Sequence, residues 1–349
     1  MSLPTETKQY ILANKPTDLP SLSGPSPTFS LETTPLPPLN DDQVLVQTHY
    51  ISNDPAQRGW ISKYADPKRL YVPPVPQGAV MRSRNVCEVL DSKTPRFSKG
   101  DIVLGNPGWT EYAVVDASTL QKAEKVPGLS ETQFLGALGL TGITAYYGLT
   151  EIAKAGPEDA VVVSGAAGAT GSMVVQIAKH ILGCKRVIGM AGEEGKCRWV
   201  ESLGADVCLN YKDEAFKERL KKETEDFVEV YFDNVGGEIL DLMLTRMKRH
   251  GRVAACGAIT QYNKSKQDGI KNWFQVISMR LEIRGFIVFD YMDKAQQAVG
   301  TLVKAFKEGK IRLGDENETI VDTKFEDVPG TWMKLFEGGN TGKLVTKLV

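Results

Sequence analysis

The chain of 349 residues carries a net charge of −1, since 42 basic residues stand against 43 acidic ones. At roughly 150 residues per domain, this length predicts about two domains. Hydrophobic residues make up 42% and charged residues 24%, the balance of a soluble globular protein. No long basic run occurs, so neither nucleic acid nor an anionic membrane is expected as a partner.

Neither a membrane-spanning segment nor an export signal is expected. No apolar run reaches the length of about 18 residues that predicts a spanning helix, and the first residues lack the pattern of a signal peptide. The cysteines are odd in number and dispersed, with no CxxC pair, which favours reduced thiols and a cytoplasmic protein. They are Cys87, Cys184, Cys197, Cys208 and Cys256.

The first part of the chain is rich in proline. Of the 18 prolines, only Pro157 and Pro329 come after Pro127. Since proline interrupts helices and central strands, residues 1–130 are predicted to be irregular and β-rich. Two stretches there alternate as short strands do, "DDQVLVQTHYISND" and "GDIVLGNPGWTEYAVVDAS".

From about Ala160 the pattern changes to short apolar runs separated by helical patterns. The runs are "AVVVSG", "RVIGMAG", "ADVCLNY", "FVEVYFDNVGG", "GRVAACG" and "LEIRGFIV". Strands that alternate with helices predict a parallel sheet with helices on both faces. A last helix, "DKAQQAVGTLVKAFKEGKI", and a last strand, "GKLVTKLV", are expected to return to the first domain.

A glycine loop follows the first of these strands. Val174, Ile177 and Ala178 begin one apolar helical face directly after it. The glycines Gly165, Gly168 and Gly171 therefore lie between a strand and a helix N-terminus, where free N–H groups and the helix dipole suit a pyrophosphate. A tight turn without a ligand is the alternative.

The second strand indicates which dinucleotide is bound. An NAD site usually has an acidic residue at the end of that strand, and "MAG" stands there instead. Lys196 could neutralise a 2′-phosphate, which favours NADPH, although it could also be an ordinary solvated residue. Glu193 and Glu194 argue against a nearby phosphate unless they point outward, so NADH stays open at this point.

Seven motifs together give the chain a family resemblance. It resembles the zinc-independent medium-chain dehydrogenases/reductases, and within them the alkenal double-bond reductases and prostaglandin reductases. The motifs run in family order from about Val44 to the end of the chain. They are "LGLTGITAYYGL", "GAAGATGSMVVQIAK", "GADVCLNYK", "YFDNVGG", "GRVAACGAITQYN", "IRGFIV" and "GGNTGKLV".

The resemblance implies an α/β fold with two domains. A Rossmann-type doubly wound parallel sheet that binds the cofactor is expected over residues 131–300. A β-rich, GroES-like catalytic and substrate domain is expected over residues 1–130 and 301–349. Related reductases are commonly dimers, and the apolar strand "LEIRGFIVF" could pair across a two-fold axis, so a homodimer is expected.

The resemblance also implies roles for individual residues towards NADPH. Lys196 and Tyr211 would hold the 2′-phosphate, Phe286, Ile287 and Val288 would offer backbone groups to the nicotinamide carboxamide, and the other positions would line the cofactor. Those other positions are Gly168, Ala169, Thr170, Gly171, Asn234, Cys256, Gly257, Ala258, Ile259, Thr260, Gln261, Tyr262 and Asn340. By themselves, Asn234 and Asn340 could instead form Asx-turns in glycine-rich loops.

No metal site is expected. A catalytic zinc needs cysteine or histidine ligands with one open position, and the segment that would carry them reads "QGAVMRSRN". The chain has three histidines, of which His180 and His250 are interpreted as structural. The cofactor set is therefore NADPH alone.

The expected chemistry is the reduction of a conjugated C=C bond in an enal or enone. Hydride reaches the β-carbon, charge develops on the carbonyl oxygen, and a hydrogen-bond donor there stabilises the transition state. Tyr262 is the candidate catalytic donor, because a phenol keeps its proton at neutral pH; simple packing in a turn is the alternative. Trp60, Tyr64 and Trp109 are candidate walls for the substrate, although such aromatic residues are more often part of a core.

Two positions depart from the plant relatives. Where those proteins have tyrosine after "NDP" and after "QG", this chain has Ala56 and Ala79. The pocket is therefore expected to be wider or differently lined. Competing interpretations are an NADPH:quinone reductase and a non-catalytic protein that binds NADPH.

Overall fold

The computed structural model describes residues 3–349 and contains fifteen strands in that range. In chain order they are β1 Glu6–Leu12, β2 Phe29–Pro35, β3 Gln43–Ser52, β4 Asn85–Ser92, β5 Ile102–Gly105, β6 Tyr112–Asp116, β7 Gln121–Lys122, β8 Ala160–Val163, β9 Arg186–Ala191, β10 Val207–Asn210, β11 Val228–Asp233, β12 Met247–Ala255, β13 Glu282–Gly285, β14 Glu318–Thr323 and β15 Lys343–Leu348.

Nine α-helices accompany the strands in the same range. They are α1 Gln57–Trp60, α2 Leu140–Tyr147, α3 Ala169–Gln176, α4 Glu194–Ser202, α5 Phe216–Glu223, α6 Gly237–Leu244, α7 Phe274–Ser278, α8 Ala295–Lys307 and α9 Val328–Glu337. Gly148–Ile152 and Ile177–Ile181 continue α2 and α3 as single π-helical turns. No helix within residues 3–349 is long and apolar enough to cross a membrane.

The chain forms two compact units. Among the described residues, the first contains 3–135, 319–340 and 344–349, and the second contains 136–318 and 341–343. The expected boundary at residue 301 differs from this division. Helix α8 belongs to the second unit because its Ala298 packs with Ile143 and Tyr147 of α2. The amphipathic pattern of a helix shows that its apolar face is buried, but it does not show which neighbouring element covers that face.

The first unit is β-rich. Its large sheet has the order β14-β15-β3-β4-β5-β7, and β6 also pairs with β3. Strands β1 and β2 form a separate antiparallel pair. The last strand, β15, pairs antiparallel with β3 and so returns the end of the chain to this unit. Three aromatic residues, Phe29, Trp109 and Trp332, meet in its core.

The second unit is built on a six-stranded parallel sheet. The strand order is β10-β9-β8-β11-β12-β13. This is the order of a Rossmann fold, in which the chain winds outward from a central strand in both directions. All four residues of β8 are buried, as expected for a central strand covered by helices on both faces. The predicted fold class, α/β with a doubly wound sheet and a separate β-rich part, is confirmed.

Candidate functional site

The candidate site lies where the strand order of the parallel sheet reverses. Strands β8 and β11 are neighbours in the sheet, although α3, α4 and α5 separate them along the chain. In such sheets, ligands bind at the carboxyl ends of the strands beside this switch point. Ser164 follows β8 directly, and Asp233 ends β11. The sheet therefore brings the glycine loop and the "DNVGG" loop together.

The glycine loop places the backbone of α3 close to the strand end. Gly165 has a φ of 58°, which favours glycine. A β-carbon on Gly171 would lie 2.2 Å from the carbonyl oxygen of Gly165, so only glycine allows the helix to approach this closely. Gly168 precedes the helix and supplies no side-chain cap. The first N–H groups of α3, from Ala169, Thr170 and Gly171, can therefore bind an anion.

The loop near the end of the chain adjoins the glycine loop. Gly342 donates its N–H to the carbonyl oxygen of Ala167 at 2.8 Å, and it forms an isolated bridge with Gly168. A β-carbon on Gly342 would lie 1.9 Å from the carbonyl oxygen of Asn317, so glycine is required there. Asn340 stands two residues before Gly342 along the chain.

The residues predicted to hold a 2′-phosphate meet at the ends of β9 and β10. Gly192 follows β9, and a β-carbon there would lie 2.8 Å from the Tyr211 hydroxyl oxygen, so the ring of Tyr211 lies across this glycine. Partial burial lowers the pKa of Lys196; Glu193 opposes this effect and Lys212 adds to it. Two ammonium groups and a phenol hydroxyl therefore share this corner of the sheet.

The two acidic residues that argued against a phosphate are both exposed. Glu193 and Glu194 stand at the start of α4 and face solvent. Glu193 still interacts with Lys196, since it raises the pKa of that lysine. The corner is therefore basic on the side of Tyr211 and acidic only at its exposed rim.

The segment 256–262 is held against the turn that follows β11. The carbonyl oxygen of Val235 accepts a hydrogen bond from the Thr260 hydroxyl at 2.6 Å. Gln261 is buried and donates through its amide to Asp268 at 2.9 Å, so this side chain anchors the following loop. Burial, with a smaller contribution from the charge of Asp233, raises the pKa of the Cys256 thiol to about 12, so it is not a thiolate at neutral pH.

Tyr262 folds back over the start of its own segment. Its hydroxyl oxygen accepts the N–H of Ala258 at 3.2 Å. A β-carbon on Gly257 would lie 3.2 Å from the same oxygen, so the glycine makes room for the phenol. In this bond the phenol is the acceptor and uses a lone pair of its oxygen.

Phe286 and Val288 keep their side chains within the second unit. Phe286 packs edge-on against Phe232, and a β-carbon on Gly148 would lie 2.7 Å from the Phe286 ring. Val288 packs in the cluster around Ile143. Their side chains are thus fixed, which suits the predicted use of the backbone of 286–288.

The three aromatic candidates for a substrate wall all lie in the first unit, in different environments. Tyr64 is 68% exposed. Trp60 donates its indole N–H to the Tyr71 hydroxyl at 3.1 Å, and the guanidinium of Arg82 lies over its ring. Trp109 is fully buried in the aromatic core and offers no surface to a ligand. The structure therefore argues against Trp109 as a substrate wall, and Trp60 and Tyr64 stay predictions.

The donor set does not fit a metal ion. Within residues 3–349, no three histidine, cysteine, aspartate or glutamate side chains are grouped as ligands would be. Among the histidines, His180 bonds to the carbonyl oxygen of Leu203 at 2.9 Å, and His49 faces Glu88. The five cysteines are separate thiols.

Sequence reasoning missed two charged residues of the site. Lys212 stands beside Tyr211 but drew no attention, because lysines on a surface are common. Asp233 lies within the predicted strand "FVEVYFDNVGG", and one of its four donors, the Ser164 hydroxyl, is distant in the sequence. An acidic residue at the end of an otherwise apolar strand was the available signal.

Two family models match the chain, one in each of its two units. Residues 8–123 match the family described as the N-terminal domain of oxidoreductases. Residues 169–305 match the family described as zinc-binding dehydrogenases.

The chain is also similar to other proteins and to a solved structure over most of its length. Prostaglandin reductase 1 of Bos taurus is 37% identical over 91% of this chain and 93% of its own length. The NADP(+)-dependent 2-alkenal reductase of Nicotiana tabacum is 36% identical over 99% of this chain and 98% of its own. The crystal structure of CurA from Vibrio vulnificus in complex with NADPH has a TM-score of 0.86 and 32% identity, and covers 98% of this chain and 99% of that one.

Proposed function

We propose that this chain, which belongs to the prostaglandin reductase and alkenal reductase family of the medium-chain dehydrogenases/reductases, reduces the C=C bond of α,β-unsaturated aldehydes and ketones with NADPH. As its family relatives imply, it is an NADP-dependent oxidoreductase. The observation that carries the proposal is the conjunction, on one sheet, of an uncapped helix N-terminus and a basic corner at Lys196.

NADPH fits the residues of the second unit. The N–H groups at the start of α3 would hold the pyrophosphate. Because Gly171 packs closely against Gly165, the start of this helix lies near the strand end. Lys196, Lys212 and Tyr211 would hold the 2′-phosphate. The backbone of 286–288, with Asn234, would orient the nicotinamide end. Bound NADPH supplies the hydride that reaches the β-carbon of the substrate.

Tyr262 would act on the oxygen of the substrate. As the β-carbon is reduced, negative charge develops on the carbonyl oxygen, and the phenol O–H donates to it. The N–H of Ala258, donated to the same phenol oxygen at 3.2 Å, would orient the group. The α-carbon then takes a proton from solvent. No step uses a metal, since the donor set does not fit one.

A substrate panel tests the proposed function. Oxidation of NADPH is followed with 2-nonenal, with an aryl enone and with a naphthoquinone, and each is repeated with NADH. We expect fast turnover of 2-nonenal with NADPH and much slower turnover with NADH. Faster turnover of the naphthoquinone would favour a quinone reductase, and NADPH binding without turnover would indicate a non-catalytic protein.

Ala56 offers a test of substrate choice in the first unit. It precedes α1, the short helix that ends in Trp60, and it is partly exposed. Replacing Ala56 with tyrosine adds a ring beside this helix. We expect Ala56→Tyr to lower kcat/KM for a bulky aryl enone more than for a short enal, which serves as the internal control. Improved turnover of the bulky substrate would contradict a pocket widened by alanine.

We also propose a homodimer through the edge of the parallel sheet. Strand β13 ends the sheet and has one unpaired side. Apolar side chains are exposed in the residues around it, and exposed edges and patches of this kind mark interfaces. They are Trp273, Phe274, Ile277, Phe289 and Met292. Two copies of β13 would join the two sheets into one.

Light scattering after gel filtration measures this assembly. We expect the wild type at twice the chain mass of 38.3 kDa. Ile277→Asp should shift it towards the monomer, because a buried, unpaired charge is costly. The matched control is Leu31→Asp, an exposed apolar residue on β2, which should remain dimeric. A monomeric wild type, or a dimeric Ile277→Asp, would contradict the proposal.

The compartment belongs to the same proposal. All five cysteines are free thiols, and four of them are buried. Thiols that persist without pairing are typical of a reducing compartment. We therefore propose a cytoplasmic enzyme, where NADPH would be available to it.

A further inference from the structure

The carboxylate of Asp233 is held at the carboxyl end of β11 by an unusual number of donors. The residue is 2% exposed. Its Oδ1 accepts the Tyr231 hydroxyl at 2.8 Å, the Ser164 hydroxyl at 3.2 Å, and the N–H groups of Val235 and Gly236 at 3.1 and 3.0 Å. One buried oxygen therefore ties both central strands to the turn that follows β11.

This turn is in contact with the segment that leads to the candidate donor. The carbonyl oxygen of Asp233 accepts the N–H groups of Cys256 and Gly257 at 2.9 and 3.0 Å. The next carbonyl, from Asn234, lies 3.4 Å from the N–H of Ile259. A shift of the turn must therefore shift the start of the segment 256–262.

The same turn fixes Asn234 against the glycine loop. Its side-chain amide donates to the carbonyl oxygen of Ser164 at 2.7 Å, and its N–H donates to the Ser164 hydroxyl at 3.0 Å. Ser164, which directly precedes Gly165 of the glycine loop, thus links Asp233 and Asn234 in one network. Such networks define a single geometry when every member is bonded.

We infer that Asp233 is a positioning residue, which acts through its turn to place Asn234 and the Tyr262 segment for cofactor and substrate. The inference rests on the proposed function, because it assigns those two groups their roles. Asp233 itself lies beneath the turn, and its role requires no contact with cofactor or substrate. Geometry alone identifies it: four bonds to one oxygen, on the two strands that flank the switch point.

The charge of Asp233 costs stability. Burial raises the pKa of its carboxyl, and the hydrogen bonds to it offset this only in part. The titratable groups facing it are Tyr231 and Cys256, and its charge raises the pKa of both; Ser164, from the β8 side, does not titrate here. Because the pKa of Asp233 is raised in the folded protein, the fold favours the protonated carboxyl. The stability that this protonation contributes is complete below the unfolded pKa of about 4 and is lost as pH rises through the folded pKa. A carboxyl group kept in this buried position, with four donors on one oxygen, points to a role in function.

The test compares Asp233→Asn with Glu229→Gln. Both remove a carboxylate charge from β11, but Glu229 is at the opposite end of the strand, paired with Lys185 and Lys248. For each protein, kcat and KM for NADPH and for 2-nonenal are measured across pH, with the NADPH Kd from fluorescence titration and the melting temperature at pH 7.

We expect Asp233→Asn to melt no lower than the wild type while kcat/KM for NADPH falls about tenfold, as a displaced active-site group would cause. In the wild type, protonation of Asp233 should change kcat/KM at the acidic end of the pH profile. This change should be absent in Asp233→Asn and present in Glu229→Gln. Wild-type kinetics for Asp233→Asn at every pH would overturn the inference, as would parallel losses of activity and melting temperature. If the wild type binds NADPH but reduces no enone, the proposed function fails, and the Kd still judges Asp233: we expect about tenfold weaker binding, and an unchanged Kd would overturn the inference.

Discussion

Replacing Tyr262 with phenylalanine should lower kcat for enone reduction by about 10²- to 10³-fold, which corresponds to about 3–4 kcal/mol for one donor to a developing oxyanion. The structure gives the physical reason. The N–H of Ala258 donates to the phenol oxygen at 3.2 Å and so holds the hydroxyl in place, and phenylalanine would remove the donor that is proposed for the substrate oxygen. Steady-state kinetics with 2-nonenal measure the loss, and the NADPH Kd should change little.

A second tyrosine provides the control for this variant. Tyr147 donates its hydroxyl to the carbonyl oxygen of Lys294 at 2.7 Å, within the same unit. Tyr147→Phe removes a hydroxyl of the same kind and should lower stability while leaving kcat near that of the wild type. A Tyr262→Phe enzyme with the wild-type kcat would show that another group stabilises the oxyanion.

Replacing Lys196 with alanine should weaken NADPH binding by about 10- to 100-fold, because a hydrogen bond to a charged group contributes about 1.5–3 kcal/mol. NADH lacks the 2′-phosphate, so its affinity should not fall. Lys212→Ala should show the same pattern with a smaller loss, since this residue is exposed. Calorimetric titration with both cofactors measures the effect, which should shrink as salt is added.

Lys179 is the matched control for the lysine variants. It is paired with Asp206 at 2.6 Å in the same unit. Lys179→Ala should leave both cofactor affinities unchanged. Equal weakening of NADPH and NADH by Lys196→Ala would mean that the lysine supports the fold of the corner without touching a phosphate.

The apolar runs of the second half predicted the parallel sheet correctly because each run is a local feature. All six runs quoted from that half became strands, β8 to β13. The glycine loop was equally local, since a strand, three glycines and an amphipathic helix are consecutive. Lys196 was predicted from its place after the second strand and Tyr211 from the family resemblance. They follow β9 and β10, which are neighbours in the sheet.

What the sequence did not reveal depends on contacts between distant segments. Trp109 stood in a strand-like stretch that could have lined a pocket. Its neighbour Gly108 is packed so closely that a β-carbon would lie 2.6 Å from the carbonyl oxygen of Met81, and the tryptophan closes a core instead. The Asp233 network joins β8 to β11, which are far apart in the chain, so the local pattern could single out the acidic residue but not its partner Ser164.

The position of α8 shows the same limit for domain boundaries. Its helical pattern was clear, and the expectation that it begins the return to the first domain rested on its place near the end of the chain. The structure groups it with residues 136–318 through contacts of Ala298 with α2. Only β15, further along, pairs with the sheet of the first unit.

The most direct test of the central claim is the destination of the hydride. NADPH deuterated at both C4 positions is incubated with the enzyme and 2-nonenal, and the product is examined by NMR. Reduction of the C=C bond predicts nonanal with one deuterium on C3. Deuterium on C1 of an allylic alcohol, or no transfer of deuterium to the substrate, would contradict it.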